Sequence, residues 1–335
     1  MPEQVAVVGA GSWGTTAATL AVAHAPTVLW ARHHAVAEAV NGRHENPGYL
    51  PGVPLPEALR ATTDVGEAVS GATVVLMAVP SHGFRHVLDA VAPYVGPDVP
   101  VVSLTKGLEQ GTHLRMTELV AQALPGRPVG VLTGPNLASE VAEGQPTASV
   151  VALSDEAEAQ RVQGLLFSPT FRVYTNPDVV GCEIAGALQN VLAVAAGVSD
   201  GLGLGDNTRA ALITRGLAEL GRLGEALGGE PMTFAGLAGV GDLVATATSA
   251  KSRNRSVGVA LGSGRSLADV LAGMHMVAEG VKTARPMVEL AESVAVEVPI
   301  ATQVAELLDG RRTPGDAITA LMLRPARAEF VSGRR

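Results

Sequence analysis

The chain has 335 residues, 47% of them hydrophobic and 17% charged, enough to bury a large core and to divide into two domains. A formal net charge of -8 argues against nucleic acid as the main partner, because neutralising a phosphate backbone takes a basic face. The one cysteine, Cys182, leaves no intrachain disulfide and no cysteine-based metal cluster, a usage suited to a reducing cytosol.

The first residues run straight into QVAVVGAGSWG with no basic region ahead of an apolar one, so no signal peptide is read and a cytoplasmic protein is expected. Short, mostly continuous apolar runs follow at 4–8, 27–31, 73–79, 99–104, 128–133, 147–153 and 171–175. Continuous rather than alternating apolar character is that of strands covered on both faces. Alternation with helical stretches predicts an α/β, doubly wound, mostly parallel sheet. The Pro-rich span 46–59, NPGYLPGVPLPEAL, reads as a loop between units.

From about Val179 the strand signal ends. Helical patterns run over 179–197, 207–227, 235–247, 253–262, 266–273, 281–295, 300–309 and 314–323, with starts marked by Asp206-Asn207, Ser266 and Thr313-Pro314. Residues 1–178 are therefore expected to form a Rossmann-type domain and 179–335 an all-α domain. The Gly/Ala-rich stretch after Glu183 is the one long apolar run. It reads as packed core, so no membrane insertion is expected.

Gly9, Gly11 and Gly14 form G-x-G-x-x-G between the first strand and a helix starting near Ser12. The glycines allow a tight turn and close backbone approach, and the helix N-terminus faces a pyrophosphate. The second strand ends at LWARHH, where NAD-preferring sites usually carry Asp or Glu. Arg32 and His33 suit a 2′-phosphate instead, so NADPH is favoured and NADH is possible. Lys106, in SLTKGLE, follows a strand whose C-terminal end lines the ligand crevice and so can face an anionic substrate. LTGPNLASE, 132–140, is a second strand-to-helix junction on that side.

In the helical half, Asp242 and Thr246 lie one turn apart on one face. Arg253, Asn254 and Arg255 open a helix after a Ser/Lys loop, and a guanidinium beside helix-terminal amides suits a phosphate. No His/Cys/carboxylate set has metal-ligand spacing.

These stretches in this order, with SDGLGLGDNTRAALITRGLAE and VAEG near 277, resemble the NAD(P)-dependent glycerol-3-phosphate dehydrogenases, in particular the bacterial biosynthetic branch, from Val5 to about Arg324. The resemblance implies a Rossmann-type domain followed by an all-α one, and hydride transfer between dihydroxyacetone phosphate and sn-glycerol 3-phosphate for phospholipid synthesis, in a homodimer. It implies that Ser12, Trp13, Arg32, His33, Ala138, Arg253, Val277 and Glu279 contact the nicotinamide cofactor. Lys106 would touch cofactor and substrate. Gly134, Asn136, Asn190, Asp242 and Thr246 would lie at the substrate, and Ser252, Arg253 and Asn254 at its phosphate.

One position departs from the pattern. Where the family reads Gly-Ala-(Leu/Val)-Lys-Asn, with the lysine as proton donor and acceptor, this chain reads GALQN. Gln189 can donate a hydrogen bond but cannot supply a proton. Three readings follow. The chain is a Lys-to-Gln variant, engineered or by chance, of an ordinary dehydrogenase. It is a paralogue with a slower or altered reaction, on this substrate or a phosphate or phosphonate analogue, in which Lys106 or a water gives the proton. Or it is a non-catalytic sensor of NADPH or a phosphate ligand.

Overall fold

The computed structural model describes residues 2–274, 276–326 and 328–329. One sheet dominates the N-terminal half: β1 (Val5–Val8), β2 (Thr27–Trp30), β3 (Arg60–Thr62), β4 (Val74–Met77), β5 (Val101–Ser103), β6 (Val129–Thr133), β7 (Thr147–Leu153) and β8 (Phe171–Asn176). The order is β3-β2-β1-β4-β5-β6-β7-β8, with every neighbouring pair parallel except β6 and β7. Parallel neighbours need crossovers, and the crossover helices cover both faces. Hence β1 and β4 are buried at every position, whereas the edge strand β8 alternates buried and exposed residues.

β3 was not expected from the sequence. It is three residues long, follows directly on the Pro-rich loop, and only Ala61 is buried. Apolar patterning cannot reveal so short an edge strand. Its free side is closed by a side chain: Asn41 donates to the Ala61 carbonyl (2.7 Å) and accepts from the Ala61 amide (2.8 Å), standing in for a ninth strand.

The helical half wraps around one helix, Val179–Gly201, buried continuously from Gly181 to Ser199. By length and composition this helix could cross a membrane. Here the helices Asp206–Ala226, Asp242–Thr248, Arg253–Gly262, Glu279–Ser293 and Pro299–Leu308 enclose it. The Asp178 carboxylate starts it by accepting from the Gly181 amide (2.7 Å).

Its closest neighbour is Arg253–Gly262, and the two meet backbone to backbone. A Cβ on Gly197 would overlap the Arg255 carbonyl, on Gly201 the Val259 carbonyl, on Gly258 the Val194 carbonyl, and on Gly262 the Val198 carbonyl. Each helix carries its two glycines four residues apart, on one face, so the pairs interlock.

The single helix expected over 235–247 is instead two pieces, a wide π-type turn Leu237–Gly241 and the helix Asp242–Thr248, preceded by a short helix Pro231–Phe234. At Gly239 a Cβ would run into the Phe234 backbone. The glycines at 236, 239 and 241 thus permit a tight re-entry that ends with Asp242 pointing inward. The last residues of the expected helical domain, 330–335, lie outside the described residues.

Candidate active site

The sheet's C-terminal strand ends and the central helix face each other, and the chemistry-bearing side chains gather between them. The glycine-rich turn after β1 behaves as its spacing predicts. Gly9 has φ +117°, and a Cβ there would sit 2.5 Å from the Ala78 carbonyl oxygen. A Cβ on Gly14 would overlap the Gly9 carbonyl, whereas Gly11 faces open space. The helix Ser12–Val22 begins with no side-chain cap, so its first amides face that space. Two tight glycines, one open one and an uncapped helix start are what a dinucleotide pyrophosphate requires, and the residues fit the group.

Around this turn Ser12 donates to the Tyr49 carbonyl (2.5 Å) and approaches the Met276 sulfur (3.1 Å). Buried Asn46 donates to the Ala10 carbonyl (3.0 Å) and Thr15 (2.8 Å), fastening the Pro-rich loop onto the turn. Trp13 instead turns its ring toward the sheet layer, with its centroid 6.1 Å from that of Phe171. The ring is half-buried, and its Nε1–H has no hydrogen-bond partner. Arg32 and His33 are exposed at the end of β2, with Arg32 Nε 3.3 Å from His33 Nε2. Ala138 opens the short helix Ala138–Ala142, and its carbonyl accepts from Thr16 (3.2 Å).

Lys106 lies at the centre. Its stem passes the central helix at Gly186, where a Cβ would lie 3.4 Å from Lys106 Cγ. Its ammonium donates to the Gly134 carbonyl (2.9 Å), Asn136 Oδ1 (2.8 Å) and Asp242 Oδ2 (2.6 Å). Asp242, 1% exposed, also accepts from the Gly134 amide (3.3 Å), Thr133 (3.4 Å) and, on its other oxygen, Thr246 (3.3 Å). Burial pushes its carboxyl above the usual range, and the Lys106 ammonium pulls it back. Thr246 therefore stands one turn from Asp242, as the spacing predicts.

Gln189 is 1% exposed, and neither polar atom of its amide has a hydrogen-bond partner. Its amide lies beside the Asp242 carboxyl. A buried amide with both ends unmet is costly. Asn136 Nδ2 is buried and unmet as well. Gln189 and Asn136 thus offer unused polar atoms on either side of the Lys106–Asp242 pair.

Asn190 is fully used. It donates to the Lys106 carbonyl (3.0 Å) and accepts from Asn254 Nδ2 (2.7 Å), while Asn254 Oδ1 accepts from the Gly280 amide (2.9 Å). Ser252 caps the helix Arg253–Gly262 through the Arg255 amide (3.2 Å). Of the three residues expected at a phosphate, Ser252 and Asn254 are thus buried and engaged. Arg253 is exposed, with NH1 donating to the Val277 carbonyl (2.7 Å). Glu279 accepts from both the amide (3.1 Å) and the hydroxyl (2.6 Å) of Ser81. Ser81 and Thr133 were not singled out in the sequence. Both sit where a strand gives way to the crevice, a positional signal without a distinctive residue type.

Residues 4–159 match the model of the NAD-dependent glycerol-3-phosphate dehydrogenase N-terminus, and residues 178–319 that of its C-terminus. The glycerol-3-phosphate dehydrogenase [NAD(P)+] 2 of Sphingopyxis alaskensis is 54% identical over 96% of this chain and 97% of its own. The glycerol-3-phosphate dehydrogenase [NAD(P)+] of Mycobacterium avium is 50% identical over 95% of this chain and 94% of its own. The crystal structure of glycerol-3-phosphate dehydrogenase from Coxiella burnetii superposes with a TM-score of 0.92 at 38% identity, covering 96% of this chain and 99% of that one. With both halves matched and the crevice between them built as described, the chain belongs to the NAD-dependent glycerol-3-phosphate dehydrogenase family.

Proposed function

We infer that the protein is an oxidoreductase that reduces dihydroxyacetone phosphate to sn-glycerol 3-phosphate, and runs the reverse, feeding glycerophospholipid synthesis. NADPH is preferred and NADH is the weaker substitute. The protein works in the cytoplasm as a homodimer. The observation that carries the reading is the Lys106–Asp242 pair, flanked by the unmet amides of Gln189 and Asn136 in the crevice beside the glycine-rich turn. Membership of the family supplies the substrate.

Each residue has a definable task. The bound dinucleotide supplies the hydride. The turn Gly9–Gly14 and the amides at Ser12 hold its pyrophosphate, and Arg32 with His33 its 2′-phosphate. Glu279, fixed by Ser81, and Val277, fixed by Arg253, line the nicotinamide side. Arg253, with the amides that open its helix, attracts the substrate phosphate. Asn136 and Gln189 take the carbonyl and hydroxyl groups, since each has a free polar atom aimed there. Asp242 holds Lys106, and Lys106 places positive charge where negative charge develops on oxygen.

The test is NADPH consumption with dihydroxyacetone phosphate at high enzyme concentration, beside a titration of both ligands. Oxidation of one NADPH per substrate supports the reading. Tight binding of both without turnover would leave a sensor in its place.

A further inference from the structure

Addition of hydride to a carbonyl leaves an alkoxide, which needs a proton, and Gln189 has none to give. We propose that Lys106 is the proton donor in this chain, while Gln189 serves only as a hydrogen-bond donor to the same oxygen; this rests on the dihydroxyacetone phosphate reading above.

The geometry narrows the choice to Lys106. Its stem lies against Gly186, one turn before Gln189 on the same helix, and its ammonium reaches Asp242, which Gln189 also faces. Both Asp242 oxygens accept hydrogen bonds, the pattern of an ionised acceptor rather than an acid. Asn190 has its amide committed to the Lys106 carbonyl and to Asn254. Arg253 is exposed, points to Val277, and as a guanidinium does not give up its proton. Of Lys106's three partners, the Gly134 carbonyl and Asn136 Oδ1 are neutral and exchangeable for a substrate oxygen, whereas Asp242 is charged and fixed by three further donors. A substrate oxygen that displaces one neutral partner receives a proton from an ammonium already aimed at it.

The step balances. The carbonyl carbon accepts hydride with its electron pair, and the π pair of the C=O bond moves to oxygen. That oxygen forms an O–H bond as an N–H bond of Lys106 breaks, leaving a neutral amine and an oxidised nicotinamide. Solvent returns the proton after the product leaves.

Lys106→Arg tests this, because arginine keeps the charge and the hydrogen bonds but not the transferable proton. In single turnovers with NADPH and dihydroxyacetone phosphate it should be at least 100-fold slower than the unmodified protein, the scale of lost general-acid help. Glycerol 3-phosphate, titrated calorimetrically in the presence of NADP+, should bind within a few-fold of the original affinity. The second variant is Gln189→Lys with Lys106→Arg, which puts an ammonium back at position 189. It should recover most of the lost rate, which also shows that arginine at 106 is tolerated by the fold. A Lys106→Arg protein as fast as the original overturns the proposal, since water or another group then gives the proton. A slow single variant that the second substitution does not rescue overturns it too, because the loss is then not that of a proton. If the unmodified protein binds both ligands and never turns over, the functional reading itself has failed.

Discussion

Asn254 donates its amide to the side-chain oxygen of Asn190 at 2.7 Å, joining two helices 64 residues apart in sequence. Asn190 passes the link on to the Lys106 carbonyl, and Asn254 passes it to the Gly280 amide. One chain of amides thus connects the segment carrying Lys106, the helix carrying Gln189, the helix headed by Arg253 and the helix headed by Glu279. The two asparagines thereby fix the helix carrying Gln189 against the helix headed by Arg253.

Arg253→Ala should weaken dihydroxyacetone phosphate binding by about 2–4 kcal/mol, because the phosphate loses its charged partner on closing into the crevice. Lysine there should restore only part of it, since a point charge does not reproduce the planar fork. Calorimetric titration in the presence of oxidised cofactor reads both. An unchanged affinity in the alanine variant would mean that the helix amides alone hold the anion.

Arg32 should set cofactor choice. Charge-assisted hydrogen bonds from its guanidinium to a 2′-phosphate contribute about 1.5–3 kcal/mol, so NADPH should bind roughly 10- to 100-fold more tightly than NADH. Arg32→Asp should reverse the order. Fluorescence titration of both reduced cofactors checks it, and equal affinities in the unmodified protein would remove the argument.

Gln189→Lys alone should raise the single-turnover rate on dihydroxyacetone phosphate by less than about 10-fold, because Lys106 already supplies the proton, with substrate affinity changing little. The position is ready for it: the amide of Gln189 lies unbonded beside Asp242, so a lysine ammonium gains a carboxylate it can reach. A Lys variant faster by about 100-fold or more would show that the unmodified protein lacks a proton donor, so that Lys106 is not one.

Far from the crevice, Glu219 should make stability depend on pH. Its carboxylate caps the helix Pro299–Leu308, accepting from the amides of Ile300 (2.7 Å) and Ala301 (3.3 Å), yet it is only 3% exposed. Burial pushes its carboxyl from an ordinary 4.5 up to about 7, against the pull of the two amides and of Arg222 and Arg324. Between those values the folded chain holds a proton that the unfolded chain has lost. This group's contribution is therefore complete below about pH 4.5 and lost as pH rises through about 7, a change on the order of 3 kcal/mol. Urea midpoints at pH 5 to 8 should fall more steeply in the unmodified protein than in Glu219→Gln. Parallel slopes would place the titration elsewhere.

Gly258→Ala should cost about 1–3 kcal/mol or more, because the new methyl overlaps the Val194 carbonyl and backbone cannot step aside as a side chain can. The melting temperature reads it directly, and a neutral substitution would mean that the two helices part at little cost.

Much of this was legible in the sequence, and the gaps have physical causes. Strands with buried apolar runs, such as β1 and β4, announce themselves because four consecutive buried apolar residues, covered on both faces, leave a continuous rather than alternating pattern. β3 stayed hidden since its partner on the open side is the Asn41 side chain, a contact no local pattern encodes. The break at 236–241 was missed for a related reason. Its helical periodicity is real on either side, and only the packing of Gly239 on Phe234 forces the re-entry. At the site, residue types pointed to Lys106, Asp242 and Gln189, but not to which polar atoms remain unmet. Ser252 and Asn254 carry groups suited to a phosphate, yet their bonds to the Arg255 amide and to Asn190 turn them inward.

The four interlocked glycines at 197, 201, 258 and 262 have a consequence for how the space beside these two helices can change. Because bare main chain meets bare main chain, the separation between the helix bearing Gln189 and the helix headed by Arg253 is a dimension of the polypeptide itself, with no side chain acting as a spacer. A cavity walled by side chains can drift by single substitutions toward longer or shorter ligands. Here any wider gauge needs a larger residue, and that residue strikes a carbonyl before it lengthens anything. The spacing of these two helices is therefore resistant to gradual adjustment, and change between them has to arise at points such as position 189, where the span is kept and only the side chain is exchanged.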